Sequence, residues 1–203
     1  SLLPMGQPML IGSLTASTAA IIFSASKAEV LTKGQDQDGS AIARIGKEIT
    51  VRIEGATQGS GVLVEKWGDR YTVLTAWHVV KDNSPEEEVA IITFDGKEHI
   101  WESKSLQRVG EVDMAVLTFR SAEFYDTAYI GDNTSVFSGN FIFVSGFPLP
   151  TSSVTTSAYR FLGGKVIANT TLAIKDGYQL LYTNPTLPGM SGGAVLNFEG
   201  HLV

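Results

Sequence analysis

Ser191 stands in Asn184-Pro185-Thr186-Leu187-Pro188-Gly189-Met190-Ser191-Gly192-Gly193, with glycines on both sides of the hydroxyl. Acyl transfer by a serine needs a base to take its proton and donors to meet the oxyanion. Glycine adopts backbone conformations closed to other residues and admits a close substrate. The backbone N–H groups of Gly189 and Ser191 are therefore candidate oxyanion donors. The same letters also occur in ordinary Gly-Ser turns, and short motifs alone have many false matches.

Gly189-x-Ser191-x-Gly193 also fits the nucleophile elbow of α/β-hydrolases. That fold places its acid and base after the serine. Only twelve residues follow Ser191, and they hold Glu199 and His201 with no room for further α/β units. Base and acid must come earlier.

Of the three histidines, His78 closes the apolar run Val73-Leu74-Thr75-Ala76-Trp77-His78-Val79-Val80 before the polar Lys81-Asp82-Asn83. An imidazole held at the end of a strand and open to a cleft suits a general base. A half-buried core histidine is the plainer alternative. His99 falls at an alternating polar position and His201 follows a turn glycine; both read as surface.

Asp113 precedes Met114-Ala115-Val116-Leu117. A carboxylate at the mouth of a buried strand is costly unless it is hydrogen-bonded, so it calls for a specific partner. A turn or cap role is the alternative. Asp69, Asp82, Asp95, Asp132 and Asp176 lie in turn-like contexts and need no such partner.

The elements that must position these groups are short strands. Ile49, Val51 and Ile53 alternate with Thr50, Arg52 and Glu54, the period of a half-buried strand. Gly59-Ser60-Gly61 punctuates before Val62-Leu63-Val64, and Trp67-Gly68-Asp69-Arg70 predicts a hairpin into Tyr71–Leu74. Further runs cover Val89–Phe94, Met114–Phe119, Phe141–Val144, Tyr159–Phe161, Val166–Ala168, Gln179–Tyr182 and Ala194–Leu196. Turn clusters separate them, Gly163-Gly164 included. Many short strands with little helical period predict an antiparallel all-β barrel or sandwich. Ile42–Lys47 reads as one or two helical turns.

The chain has 203 residues and a formal net charge of −6, with scattered basic residues and no cysteine. No basic stripe suits nucleic acid, and disulfides, zinc-thiolate sites and thiol catalysis are excluded. Met9–Phe23 is a mostly apolar run ahead of a small-x-small site near Ala28, as in a signal peptide. It is short for a span, which needs roughly 20 residues. Residues 1–41 are therefore read as an apolar leader and linker, and 42–203 as the folded domain. Export to the periplasm or exterior is expected, with membrane anchoring through residues 9–23 as the alternative.

Together the three blocks resemble the chymotrypsin/trypsin-like serine peptidases. Thr75-Ala76-Trp77-His78-Val79-Val80, Val112-Asp113-Met114-Ala115-Val116-Leu117 and Gly189-Met190-Ser191-Gly192-Gly193 are similar to their three motif blocks, in the order His, Asp, Ser. The resemblance runs from about Ile49 to Val203. It implies two antiparallel six-stranded β-barrels with the site between them, the second lacking its last strand or strands within this chain. It implies a serine endopeptidase with His78, Asp113 and Ser191 as triad, acting on a protein or peptide and needing no metal or other cofactor. A non-catalytic or chaperone-like peptide binder of the same fold is the alternative. The segment before the nucleophile lines the substrate pocket in such folds, which points to Tyr182, Pro185, Thr186 and Leu187. No acid lies among them, so small or uncharged side chains are the expected preference. Met190 stands where digestive members carry an aspartate that pairs with a new N-terminus. That departure and the absence of cysteine resemble the bacterial, cyanobacterial-type branch. Trp77 replaces a usually small residue beside the base.

Overall fold

The computed structural model describes residues 36–152, 155–170 and 180–203. Met9–Phe23, the run read as a leader, lies outside them, as does Gln179.

A helix, α1 (Asp36–Ile49), comes first. It begins inside the stretch read as linker and ends on a residue read as strand. Ile42, Ile45 and Ile49 recur at spacings of three and four, so one stripe of the helix faces inward. Ile42 and Ile49 are buried, and Ile45 packs against the same core. This tertiary burial outweighs the weak helix propensity of Gly39 and Ser40. Thr50 then turns the chain into β1, its hydroxyl donating to the Gly46 carbonyl at 2.5 Å.

The strands are β1 (Thr50–Glu54), β2 (Gln58–Trp67), β3 (Arg70–Thr75), β4 (Ala90–Ile92), β5 (Glu98–Ile100), β6 (Gln107–Arg108), β7 (Ala115–Arg120), β8 (Phe141–Gly146), β9 (Arg160–Asn169), β10 (Leu180–Tyr182) and β11 (Val195–Asn197). The first sheet runs β5-β4-β1-β2-β3-β7-β6 and the second β10-β9-β8-β11. Every pairing is antiparallel. The first sheet curls until Trp101, just after β5, bridges Phe119 on β7. In the second, Leu202 bridges both Ile130 and Leu196. The fold is all-β with trypsin-like curled sheets, as the resemblance implied.

Alternation explains how the two units join. On β2 and β3, Leu63 and Val73 belong to the core inside the first barrel, with Ile53, Tyr71, Leu117 and Phe119. Their neighbours Val62 and Leu74 face the other way, into a second core with Ile142, Val144, Val166, Met190 and Leu196. Both faces are thus buried, which is why these strands read as continuous apolar runs. Where β2 crosses β3, a Cβ on Gly61 would sit 2.5 Å from Val73 Cγ1. Gly68 (φ +62°) turns the β2–β3 hairpin.

One expectation about the strands needs correction. Gly163-Gly164 is no turn: β9 runs unbroken through both residues. A Cβ on Gly164 would lie 2.1 Å from Asn184 Oδ1, so the glycine serves close packing and not chain reversal. The sequence predicts neither edge strand, β5 or β6, because two or three mostly polar residues show no period.

Candidate active site

β3 and β7 pair in a register that sets Thr75 beside Ala115. Three residues after Thr75 comes His78, and two before Ala115 comes Asp113, so both emerge at one end of the first barrel. His78 lies not on the strand but in α2, a single turn over Trp77–Val80. Val79 and Val80 are buried and anchor that turn to the core.

The two residues meet twice. The His78 backbone N–H donates to Asp113 Oδ1 at 2.8 Å, and His78 Nδ1 lies 2.6 Å from Asp113 Oδ2. An ionised carboxylate only accepts, so the proton of a neutral imidazole belongs on Nδ1 and the Nε2 lone pair is left as the base. Asp113 is 14% exposed and His78 31%, so the acid is sheltered and the base reachable. The specific partner demanded by a sheltered Asp113 is His78.

The Ser191 loop, between β10 and β11, reaches this corner through its glycines. Gly192 (φ +83°) has space for no side chain: a Cβ would lie 2.3 Å from Ser60 O, 2.4 Å from Thr75 Oγ1 and 2.8 Å from Ala76 N. Ser191 is thereby held next to the Thr75-Ala76 segment that leads into His78. A Cβ on Gly193 would fall 1.9 Å from Ser145 O. Gly189 takes φ +93°, a conformation that favours glycine. The Ser191 carbonyl accepts from Ser60 N at 2.8 Å.

Met190 is 1% exposed and belongs to the core between the sheets. An aspartate there would meet apolar neighbours, so the loop is anchored by hydrophobic burial and not by an ion pair.

The four residues read as pocket lining do not share one environment. Pro185 and Leu187 are exposed, Thr186 is half-buried, and Tyr182 packs against the inter-sheet core with its hydroxyl inaccessible. Burial pushes the Tyr182 phenol far above its ordinary value. Trp77 is half-buried against the first core, and the Arg108 guanidinium lies 5.6 Å above its ring. Arg108 in turn donates to the Glu111 and Val112 carbonyls just before Asp113.

His99 is not simply at the surface. It stacks on Phe119 at 4.7 Å and lies within hydrogen-bonding distance of Tyr125 and Thr93, far from His78 along the barrel. Desolvation lowers its pKa. His201 is partly covered by Tyr129 and faces Glu199 at 3.4 Å. One buried residue that sequence reasoning passed over is Ser60, read only as punctuation within Gly59-Ser60-Gly61. Its signal was there: a small hydroxyl between two glycines at the start of a buried strand.

Comparisons with known proteins bear on the family and the fold. A family described as "Trypsin-like peptidase domain" matches residues 59–203. Proteins named serine protease Do-like HtrA are similar in sequence. That of Lactobacillus helveticus is 26% identical over 84% of this chain, and that of Bacillus subtilis 24% over 85%. The Lactococcus lactis subsp. lactis (strain IL1403) protein is 27% identical over 74%. The chain spans about 38% of the length of these curated relatives. Among solved structures, Deg5 superposes with a TM-score of 0.66 at 17% identity, covering 85% of each chain. That likeness bears on the fold.

Proposed function

The chain belongs to the trypsin-like peptidase domain family, and from that premise we propose that it is a serine endopeptidase using His78, Asp113 and Ser191. The doubly bonded His78–Asp113 pair, at the barrel end where the Ser191 loop docks, carries this reading. Relatives named as serine proteases support the reaction class.

In this mechanism Ser191 Oγ attacks the scissile carbonyl carbon while its proton passes to His78 Nε2. Asp113 keeps the Nδ1 proton in place and stabilises the imidazolium. The carbonyl oxygen becomes an oxyanion facing the N–H groups of Gly189 and Ser191. His78 then returns the proton to the leaving amine as the C–N bond breaks, leaving an acyl-enzyme. Water, deprotonated by His78, attacks the ester and frees Ser191. Triad and donors suffice for this chemistry without a metal.

The acid-free segment 182–187 supports a preference for small or uncharged side chains before the cleaved bond. Strong Arg/Lys selectivity in cleavage profiling would overturn that. Met190 and the cysteine-free sequence favour the bacterial, cyanobacterial-type branch. Export is the matching localisation, checked by N-terminal sequencing of the mature protein. Among the described residues no helix is long and apolar enough to cross a membrane.

The deciding experiment is casein or peptide-library cleavage by the full-length protein, with fluorophosphonate labelling. Ser191→Ala should abolish labelling and lower turnover by roughly 10⁶. A wild-type protein that neither labels nor cleaves but binds the peptides would refute the peptidase reading in favour of the non-catalytic or chaperone-like peptide binder.

A further inference from the structure

The four peptide carbonyls from Pro188 to Ser191 each meet a donor. Pro188 O accepts from Leu149 N at 2.7 Å, Met190 O from Gly193 N at 3.0 Å, and Ser191 O from Ser60 N at 2.8 Å. The Gly189 carbonyl accepts from the Ser60 hydroxyl at 2.8 Å. Leu149 and Gly193 belong to the second unit, the one that carries the loop. Ser60 lies on β2 of the first barrel, and so fixes the loop from across the divide.

We infer that Ser60 Oγ is a positioning residue that fixes the Gly189–Met190 peptide, the link between the two peptides that carry the oxyanion donors; the inference rests on the serine-peptidase reading above.

The direction of its hydroxyl proton is determined. A hydroxyl has one proton and two lone pairs. Phe147 N–H donates to Ser60 Oγ at 2.8 Å, so the proton is free for the Gly189 carbonyl. Ser60 is fully buried, so bulk solvent does not reach either bond. One atom therefore ties β2, the segment after β8 and the nucleophile loop together.

Gly189 is where such a tie matters. With φ at +93° and no Cβ, its two flanking peptides can rotate at little intrinsic cost. In a trans peptide, N–H and C=O point oppositely. The Gly189 N–H therefore shares its plane with Pro188 O, held by Leu149 N, and the Ser191 N–H shares its plane with Met190 O, held by Gly193 N. The Gly189–Met190 peptide between them is held by Ser60 on its carbonyl and by Leu187 O, at 3.0 Å, on its N–H. Without the Ser60 hydroxyl the Gly189 carbonyl loses its buried partner, the linking peptide keeps only its bond to Leu187 O, and other ψ values of Gly189 become populated, turning one donor relative to the other. Oxyanion stabilisation depends on donors already aimed at the developing charge. Substrate binding in the ground state does not.

The test compares full-length wild type, Ser60→Ala and Thr50→Val with one peptide substrate and a peptide aldehyde of the same sequence. The aldehyde forms a tetrahedral adduct whose oxyanion occupies the same hole. Thr50 is a fully buried hydroxyl bonded to Gly46 O and Ser145 Oγ, so its variant controls for lost stability. Ser60→Ala should lower kcat about tenfold or more, below the 10²–10³ of deleting a donor outright. KM should stay within about twofold, and aldehyde affinity should fall by the kcat factor. Thr50→Val should lose comparable thermal stability and keep kcat within about twofold. If Ser60→Ala does not fold, Ser60→Cys, which keeps a weak donor on a slightly larger side chain, should itself lower kcat severalfold with KM within about twofold. Wild-type kcat in the folded Ser60 variant, a loss confined to KM, or an equal kcat loss in Thr50→Val would overturn the inference alone. A wild-type protein without fluorophosphonate labelling or turnover would overturn the underlying reading as well.

Discussion

Replacing Asp113 by asparagine preserves shape and removes one acceptor. The carboxylate now accepts twice from His78, from the backbone N–H at 2.8 Å and from Nδ1 at 2.6 Å. An asparagine side chain offers one oxygen and one NH₂. The backbone N–H can only donate, so the oxygen must stay with it. The NH₂ then faces Nδ1, which must become an acceptor, and the ring proton moves to Nε2. His78 in that tautomer presents a proton to Ser191 where a lone pair is needed. Loss of the correct tautomer costs such a triad about 10⁴ in kcat, which corresponds to about 5.5 kcal/mol of transition-state stabilisation. KM should change little, because Asp113 is largely sheltered from the cleft. The assay is steady-state hydrolysis of a chromogenic peptide near pH 7.5, with thermal unfolding to show that the variant folds. A folded Asp113→Asn protein retaining a tenth or more of wild-type kcat would refute the tautomer argument.

Met190→Asp would put an unpaired carboxylate into the inter-sheet core and should destabilise the fold by about 3 kcal/mol or more. Met190→Leu should cost less than about 1.5 kcal/mol, and chemical denaturation of both variants checks the contrast. At the far end of the first barrel, Glu102 accepts from Arg70 at 2.8 Å, from Thr118 at 2.5 Å and from Arg120 at 3.1 Å. These donors, Arg70 foremost, lower its pKa from 4.5 to about 2. A depressed carboxylate stabilises the fold above its unfolded pKa, and the contribution fades as pH falls from about 4.5 toward 2. Solvent screening of this surface network holds the effect to about 1 kcal/mol. Glu102→Gln should therefore lower Tm by roughly 2–4 °C at pH 7 and flatten its fall in acid. An unchanged slope of Tm against pH would count against the network.

The candidates His78, Asp113 and Ser191 stand out in the sequence because each sits in a block whose chemistry is local. A glycine-flanked hydroxyl, an imidazole ending an apolar run and a carboxylate ahead of one are visible in a few letters each. The all-β class was legible too, since alternation in Thr50–Glu54 and the Gly68 turn are local effects of backbone geometry. The length of α1 was not, because Asp36–Ala41 is drawn into helix by burial of Ile42, Ile45 and Ile49 against strands distant in sequence. Nor was the continuity of β9, where Gly164 is dictated by Asn184 pressing on it. The meeting of His78 with Asp113 depends on the β3–β7 register, a property of two strands about forty residues apart. Ser60 reaches Gly189 across 129 positions of chain. The sequence determines which groups are available for the proposed acyl transfer. Which of them face one another depends on long-range pairing and close packing, whose energies are summed over the whole core and written in no single segment.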